Sequence, residues 1–241
     1  MNKGIIVIGS AASGKTTLLK QLIFDEFIMV NSDILVENKE SGYYNNPLKA
    51  ASFLHKVWLP SIIESNKDFI LDTTGANLKT IENLIKSNNN YEFKLIINYC
   101  NPVIAFYRNF NRERKLPKQI LLDNWIKVYS NTKEYIKMFG ENNIYTYETD
   151  YTEKEMTVVN DYQMLRISAK SELTNIEAKS SFSKNNTQYS TEQIELKNKL
   201  FIKTLEEIDK NVEEFEFPIY LHHPPKHITI TELQKWILEK K

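Results

Sequence analysis

The sequence predicts an α/β fold in which a parallel sheet is flanked by crossover helices. Three observations predict it. Over the first half of the chain, β-branched runs alternate with helix-length amphipathic segments. The first run, Gly4-Ile5-Ile6-Val7-Ile8, passes through the glycine-containing turn Gly9-Ser10-Ala11-Ala12-Ser13-Gly14 into a helix start at Lys15-Thr16-Thr17-Leu18-Leu19. Two later runs lead into an aspartate, at Asn31-Ser32-Asp33 and at Asp72.

Taken in order, Phe27-Ile28-Met29-Val30 is the second strand. From Pro47 to about Ser65, Ala50, Phe53, Leu54, Val57, Trp58 and Ile62 recur at three- and four-residue steps, as one face of a helix does. Pro60 has no N–H to donate, so it is expected to kink or divide that helix. Phe69-Ile70-Leu71-Asp72 is a third strand running into Thr73-Thr74-Gly75. Residues 76–87 fit a helix with Leu78, Ile81, Leu84 and Ile85 on one face, and residues 93–100 a fourth strand. Helices follow over 102–111 and 118–138, and Ile144-Tyr145-Thr146-Tyr147 is the fifth strand. These elements complete a compact α/β domain over residues 1–150.

Residues 151–241 read as a mostly helical C-terminal extension. Within it, 170–193 is rich in Ser, Asn, Thr, Lys and Glu, a composition suited to a surface loop or linker. A helical pattern covers 191–215, and residues 217–221 suit an edge strand because Pro218 would interrupt a central ladder. The last helix spans 231–239, with Leu233, Trp236 and Ile237 on its packing face.

A chain of 241 residues holds one such domain with an appended piece. Its 31 basic and 31 acidic residues give no global pull toward nucleic acid or acidic membranes, so an anionic partner must meet a local patch. Cys100 is the single cysteine, which excludes an intramolecular disulfide and a thiolate metal cluster. His222, His223 and His227 have a metal-compatible spacing, but no Cys or Asp lies within it, and they read as loop histidines around Pro224-Pro225. The first apolar run is too short for a signal peptide, and no stretch approaches the roughly 20 apolar residues of a membrane span. A reducing cytoplasm and no membrane partner are therefore expected.

Gly9 to Thr16 is a full G-x-x-x-x-G-K-[ST] phosphate-binding loop in the strand–turn–helix context that the motif requires. Gly9 and Gly14 let the backbone curl so that successive N–H groups point inward at an anion. Ser10, Ala11, Ala12 and Ser13 form the rest of the cradle, and Thr17 lies in the first helical turn. The helix N-terminus adds partial positive charge. Lys15 can bridge the β- and γ-phosphates of ATP, and the Thr16 hydroxyl can complete a Mg²⁺ shell.

Three further features narrow the chemistry. Asp33 lies just beyond the carboxyl end of the second strand, where ligands sit in an open parallel sheet. There it can take a proton from an attacking hydroxyl, or Ser32-Asp33 can cap a turn starting at Ile34. Asp72, ending the third strand, suits a Mg²⁺ shell, although aspartate is also a common turn starter. Arg108 and Arg112 are four residues apart, so on one continuous helix they share a face. They can clamp a triphosphate, or they can line a solvated basic face.

These residues resemble P-loop kinases of the polynucleotide kinase and zeta-toxin type. The resemblance rests on the loop, on Asn31-Ser32-Asp33, on Leu71-Asp72-Thr73-Thr74-Gly75, and on Arg108-x-x-x-Arg112 followed by Pro117, over roughly residues 1–140. The arginine–proline segment with Gln119-Ile120-Leu121-Leu122 after it is most similar to the lid of polynucleotide kinases. The resemblance implies a P-loop NTPase-type parallel sheet flanked by helices, Lys15 as phosphate clamp and Thr16 as Mg²⁺ ligand. It also implies Asp33 as general base and Arg108 and Arg112 as lid arginines. No D-x-D-x-T phosphatase pattern follows residue 150, so a 3′-end repair activity is not implied.

The implied reaction moves the ATP γ-phosphate to a nucleic-acid 5′-OH or another nucleotide-type hydroxyl. The alternatives are a nucleotide-sugar or small-molecule kinase and a nucleotide-dependent ATPase or switch. Against a guanine switch, Asn66-Lys67-Asp68 lacks the spacer of N-K-x-D and precedes a strand. An L-S-G-G-Q-like signature is also absent. Tyr43, Tyr44, Trp58, Tyr107 and Phe110 are available for base stacking or for packing, and the neutral net charge favours a small or short acceptor.

Overall fold

A computed structural model describes residues 1–22, 26–112, 116–148, 151–156 and 229–239. The helix expected at 191–215, the edge strand at 217–221, the polar stretch at 170–193 and the three clustered histidines lie outside the described residues.

Five strands form one sheet in the order β2-β3-β1-β4-β5. They are β1 (Asn2–Ile8), β2 (Ile28–Val30), β3 (Phe69–Asp72), β4 (Tyr91–Tyr99) and β5 (Ile144–Glu148), and every pairing is parallel. Ile5, Ile6, Val7 and Ile8 are each 0% exposed. Successive side chains of a strand point to opposite faces, so both faces of the sheet are covered, as a parallel sheet requires. The strand order reverses at β1, which lies between β3 and β4. The chain leaves β1 toward β2 and leaves β3 toward β4, so the switch-point crevice lies at the carboxyl ends of the neighbours β1 and β3.

Helix α1 (Lys15–Gln21) packs Leu18 and Leu19 with Leu22 into the cluster that holds Ile5, Val7, Ile70, Ile96 and Tyr147. Between β2 and β3 run α2 (Ser32–Glu37), α3 (Pro47–Phe53), a π-helical turn (Leu54–Trp58) and α4 (Leu59–Glu64). The disturbance expected at Pro60 therefore appears as a π-turn just before it, closed by the Leu59 N–H on the Leu54 carbonyl. Widening the turn accommodates a residue that cannot donate and whose ring crowds the preceding turn. Helices α3, α5 (Leu78–Lys86) and α6 (Pro102–Asn111) start on asparagine caps at Asn46, Asn77 and Asn101, two of them with proline in the first turn.

The single helix expected over 118–138 is two, α7 (Lys118–Ser130) and α8 (Thr132–Phe139). At the junction, the Ser130 hydroxyl donates to the Lys127 carbonyl at 3.1 Å and the Thr132 hydroxyl to the Tyr129 carbonyl at 2.8 Å. Such side-chain bonds compete with the helical ladder and loosen it.

The chain divides into two compact units: Met1–Cys100, Asn124–Thr149 and Pro218–Lys241 in one, Asn101–Asp123 and Asp150–Phe217 in the other. The C-terminal helix α9 (Ile230–Leu238) belongs to the sheet unit, where Leu233 and Ile237, both 0% exposed, join the α1 cluster. Its last turn is held by two buried lysines from neighbouring strands. Lys3 Nζ donates to the carbonyls of Leu238 at 2.8 Å and Ile237 at 3.2 Å, and Lys94 Nζ to that of Trp236 at 2.5 Å. Cations at a helix C-terminus meet its negative dipole end and its orphan carbonyls. Leu233→Ala is expected to cost about 2–5 kcal/mol by chemical denaturation; a loss below 1 kcal/mol would show that α9 adds little to the core. Among the described residues, no helix is long and apolar enough to cross a membrane.

Candidate active site

The loop between β1 and α1 is shaped by backbone that only particular residues tolerate. Gly14, at the helix N-cap, has φ 96°, and Ala12 has φ 62°. A Cβ on Gly9 would lie 2.5 Å from the Asn98 carbonyl oxygen and 2.7 Å from Ser13 Oγ, so the loop can approach β4 only with glycine there. The Lys15 ammonium folds back over the loop, donating to the Gly9 carbonyl at 2.9 Å and the Ser10 carbonyl at 3.1 Å. Thr16 and Thr17 are exposed in the first turn of α1.

A buried polar buttress that the sequence reading missed supports the loop. Asn98, on β4, donates through Nδ2 to the Ser13 carbonyl at 3.0 Å and to Ser13 Oγ at 3.3 Å. The Tyr129 hydroxyl, on α7, donates to the Asn98 carbonyl at 2.9 Å and accepts the Ser10 N–H at 3.3 Å. Burial drives the Tyr129 phenol far above its ordinary range, so it remains a neutral donor. Tyr129→Phe leaves the Asn98 carbonyl and the Ser10 N–H short of a buried partner. The expected result is a stability loss of about 1–3 kcal/mol with weaker ATP binding, read by denaturation and calorimetric titration. Unchanged values for both would show that the loop does not lean on this hydroxyl.

The turn after β3 closes the other side. The Thr73 N–H reaches the Val7 carbonyl at 3.0 Å, the Gly9 N–H reaches the Thr74 carbonyl at 3.3 Å, and the Tyr135 hydroxyl from α8 donates to the Gly75 carbonyl at 2.5 Å. The Tyr135 phenol is pushed up to about 12, chiefly by burial, against a lowering bond from Asn131.

Asp72 ends β3 at 8% exposure. Burial raises its pKa first of all; the Lys15 charge opposes that rise and the Asp33 charge adds to it. The Lys15 and Asp33 charges therefore both bear on the Asp72 carboxyl. Asp33 lies in the first turn of α2, but it is not the cap: the helix begins at Ser32, and Asn31 is the N-cap, its side chain accepting the Asp33 N–H at 2.7 Å. The turn expected from Ile34 starts two residues earlier because asparagine at 31 supplies the capping oxygen. The same Asn31 donates through Nδ2 to Asp72 Oδ2 at 2.8 Å.

Arg108 and Arg112 lie in the second unit. The Arg108 guanidinium is engaged there by Glu155, with Nε to Oε1 at 2.5 Å and Nη2 to Oε2 at 3.1 Å, and it lies 5.8 Å from the Tyr151 ring centroid. Burial would raise the Glu155 pKa, but the Arg108 bond and charge together with Thr152 bring it below the ordinary carboxylate range. The shared helical face expected of the two arginines is not observed. Helix α6 ends at Asn111, and Arg112 follows in extended backbone at φ −92°, ψ 156°. The Asn109 side chain ends the helix by bonding both the N–H and the carbonyl of Leu116, each at 3.0 Å.

No protein-family model matches the chain, and no curated protein matches it. Among solved structures, a chain of the Pnkp1/Rnl/Hen1 RNA repair complex is similar at 16% identity over 57% of this chain, with a TM-score of 0.45. The match spans about half, 47%, of that chain's length. The PezAT chromosomal toxin–antitoxin system of Streptococcus pneumoniae is similar at 16% identity over 72% of this chain and 88% of the other, with a TM-score of 0.44. Shikimate kinase from Acinetobacter baumannii, in complex with shikimate, is similar at 18% identity over 72% and 97%, with a TM-score of 0.40. Likeness at this level carries no weight for substrate or mechanism. The Gly9–Thr16 loop between the first strand and first helix of an all-parallel sheet of order β2-β3-β1-β4-β5 makes this chain an α/β protein of the P-loop NTPase-type fold.

Proposed function

We propose that this protein is an ATP-dependent kinase that transfers the γ-phosphate to a hydroxyl acceptor, a nucleic-acid 5′-OH or another nucleotide-type hydroxyl. One observation carries the reading: the charges of Lys15 and Asp33 both bear on the buried Asp72 at the end of β3, Asn31 bonds Asp72 and the Asp33 N–H together, and Asn31 takes the capping role that would otherwise account for Asp33. A base set apart from the phosphate-binding lysine is what transfer to a hydroxyl requires.

In this reading the triphosphate lies in the loop from Gly9 to Thr16, and Lys15 exchanges its loop carbonyls for the β- and γ-phosphate oxygens. The acceptor hydroxyl gives its proton to the Asp33 carboxylate as its oxygen bonds to the γ-phosphorus. The bond from that phosphorus to the β–γ bridging oxygen breaks, and ADP leaves. The Thr16 hydroxyl and the Asp72 carboxylate are hard oxygen donors that fit Mg²⁺ and would hold it beside the triphosphate. Bound there, Mg²⁺ would neutralise charge developing on the β- and γ-oxygens. Arg108 and Arg112 serve the migrating phosphoryl group as lid arginines, which for Arg108 requires the Glu155 pair to open. The Tyr43 ring lies tilted against that of Phe53, centroids 4.8 Å apart, so it acts in packing, whereas Tyr44 is exposed and available to an acceptor.

The deciding experiment is incubation with γ-labelled ATP and Mg²⁺ against 5′-OH DNA and RNA, hydroxymethylated DNA, nucleosides, nucleotide sugars and a blank. Label on a nucleic-acid or nucleoside hydroxyl is the expected result. Label on nucleotide sugars alone would reassign the acceptor, and free phosphate alone would replace the kinase by an ATPase or switch.

A further inference from the structure

We propose that Asn31 is a positioning residue that fixes the metal-shell acid Asp72 and ties it to the helix carrying the base Asp33; the inference rests on the kinase reading above. Asn31 stands between the last residue of β2 and the first of α2, in extended backbone at φ −143°, ψ 127°. Its carboxamide has two chemically different ends, and both are used. Oδ1 accepts the Asp33 N–H at 2.7 Å, and Nδ2 donates to Asp72 Oδ2 at 2.8 Å, across 41 residues of sequence.

Few side chains can do both. Serine or threonine supplies the capping oxygen but has one short hydroxyl in place of a second, amide arm. Aspartate would cap the helix and set a carboxylate against the Asp72 carboxylate. Glutamine carries the same amide on a longer stem that fits the N-cap poorly. Asp72 needs the donor because it is a buried carboxylate beside a second acid, and one amide hydrogen bond both satisfies an oxygen and selects the carboxylate's orientation. Any shift of the α2 start moves the amide, and through it Asp72. The acceptor side and the metal side of the site are thereby mechanically linked.

The capping and the orienting bonds can be separated. Asn31→Ser and Asn31→Thr keep a capping oxygen and lose the amide on Asp72, whereas Asn31→Ala loses both. The measurement is the affinity of each protein for a non-hydrolysable ATP analogue, by calorimetric titration in Mg²⁺ and in EDTA, alongside turnover and melting temperature. In EDTA, all variants should bind within about twofold of wild type, because none of the changes touches the phosphate loop. The affinity gained on adding Mg²⁺ should fall about tenfold in Asn31→Ser and Asn31→Thr, as expected for a lost hydrogen bond to a charged group. Their melting temperatures should stay near wild type, and only Asn31→Ala should also melt lower.

A wild-type Mg²⁺ gain in both cap-retaining variants overturns the proposal, because Asn31 is then only a cap. A wild-type protein whose affinity does not respond to Mg²⁺ overturns both this proposal and the assignment of Asp72 to the metal. A wild-type protein that binds Mg²⁺–nucleotide yet phosphorylates no acceptor defeats the kinase reading alone, and the ratio between variant and wild type still decides the role of Asn31.

Discussion

Lys15→Ala is expected to lower phosphoryl transfer by about three powers of ten or more, because in the proposed reaction its ammonium is a preorganised cation on the γ-phosphate, where charge develops in the transition state. The structure adds a second consequence. The ammonium now bonds the Gly9 and Ser10 carbonyls, so its removal also releases the loop from its own lysine. Nucleotide affinity should therefore fall together with turnover. Lys15 is half-buried and lies outside the apolar clusters, so circular dichroism and the melting temperature should remain close to wild type. A correctly folded Lys15→Ala protein with near-normal turnover would sink the assigned active site.

Asp33→Asn is expected to lower turnover by about two or more powers of ten with little change in ATP affinity, since in the proposed reaction the group meets the acceptor and not the donor nucleotide. The substitution is nearly isosteric and leaves the helix start intact, because Asn31 supplies the cap. Steady-state kinetics at saturating ATP, with direct nucleotide titration beside them, separate the two effects. Unchanged turnover and affinity would reduce Asp33 to an acidic residue in the first turn of a short helix, where its effect is a favourable dipole interaction of at most about 1 kcal/mol.

Local pattern was a good guide where local physics decides. The third strand has the expected bounds, Phe69–Asp72, because an unbroken apolar run between polar turns can be buried on both faces of a parallel sheet. Helix α6 likewise spans Pro102–Asn111 as expected, started by the Asn101 cap and its proline. The pattern misled at Arg112, where four-residue spacing implied a shared face. The helix stops one residue earlier, and the Asn109 side chain is bonded to Leu116 across seven residues. It misled again at Ser130 to Thr132, where apolar periodicity continues through a break made by hydroxyls bonding backward to carbonyls.

The sequence by itself determined the phosphate loop, the parallel α/β class and the two aspartates that follow or end the second and third strands. Each of these is written in contiguous residues whose spacing follows from strand and helix geometry. Only the tertiary structure decided what supports and orients them. Asn98 and Tyr129 reach the loop across 85 and 119 residues, and Asn31 reaches Asp72 across 41. It also placed α9 on the sheet beside α1 and paired Arg108 with Glu155. Hydrogen bonds and buried contacts between distant segments depend on how strands are ordered and how helices cross back over them, and no periodicity within one segment encodes that order.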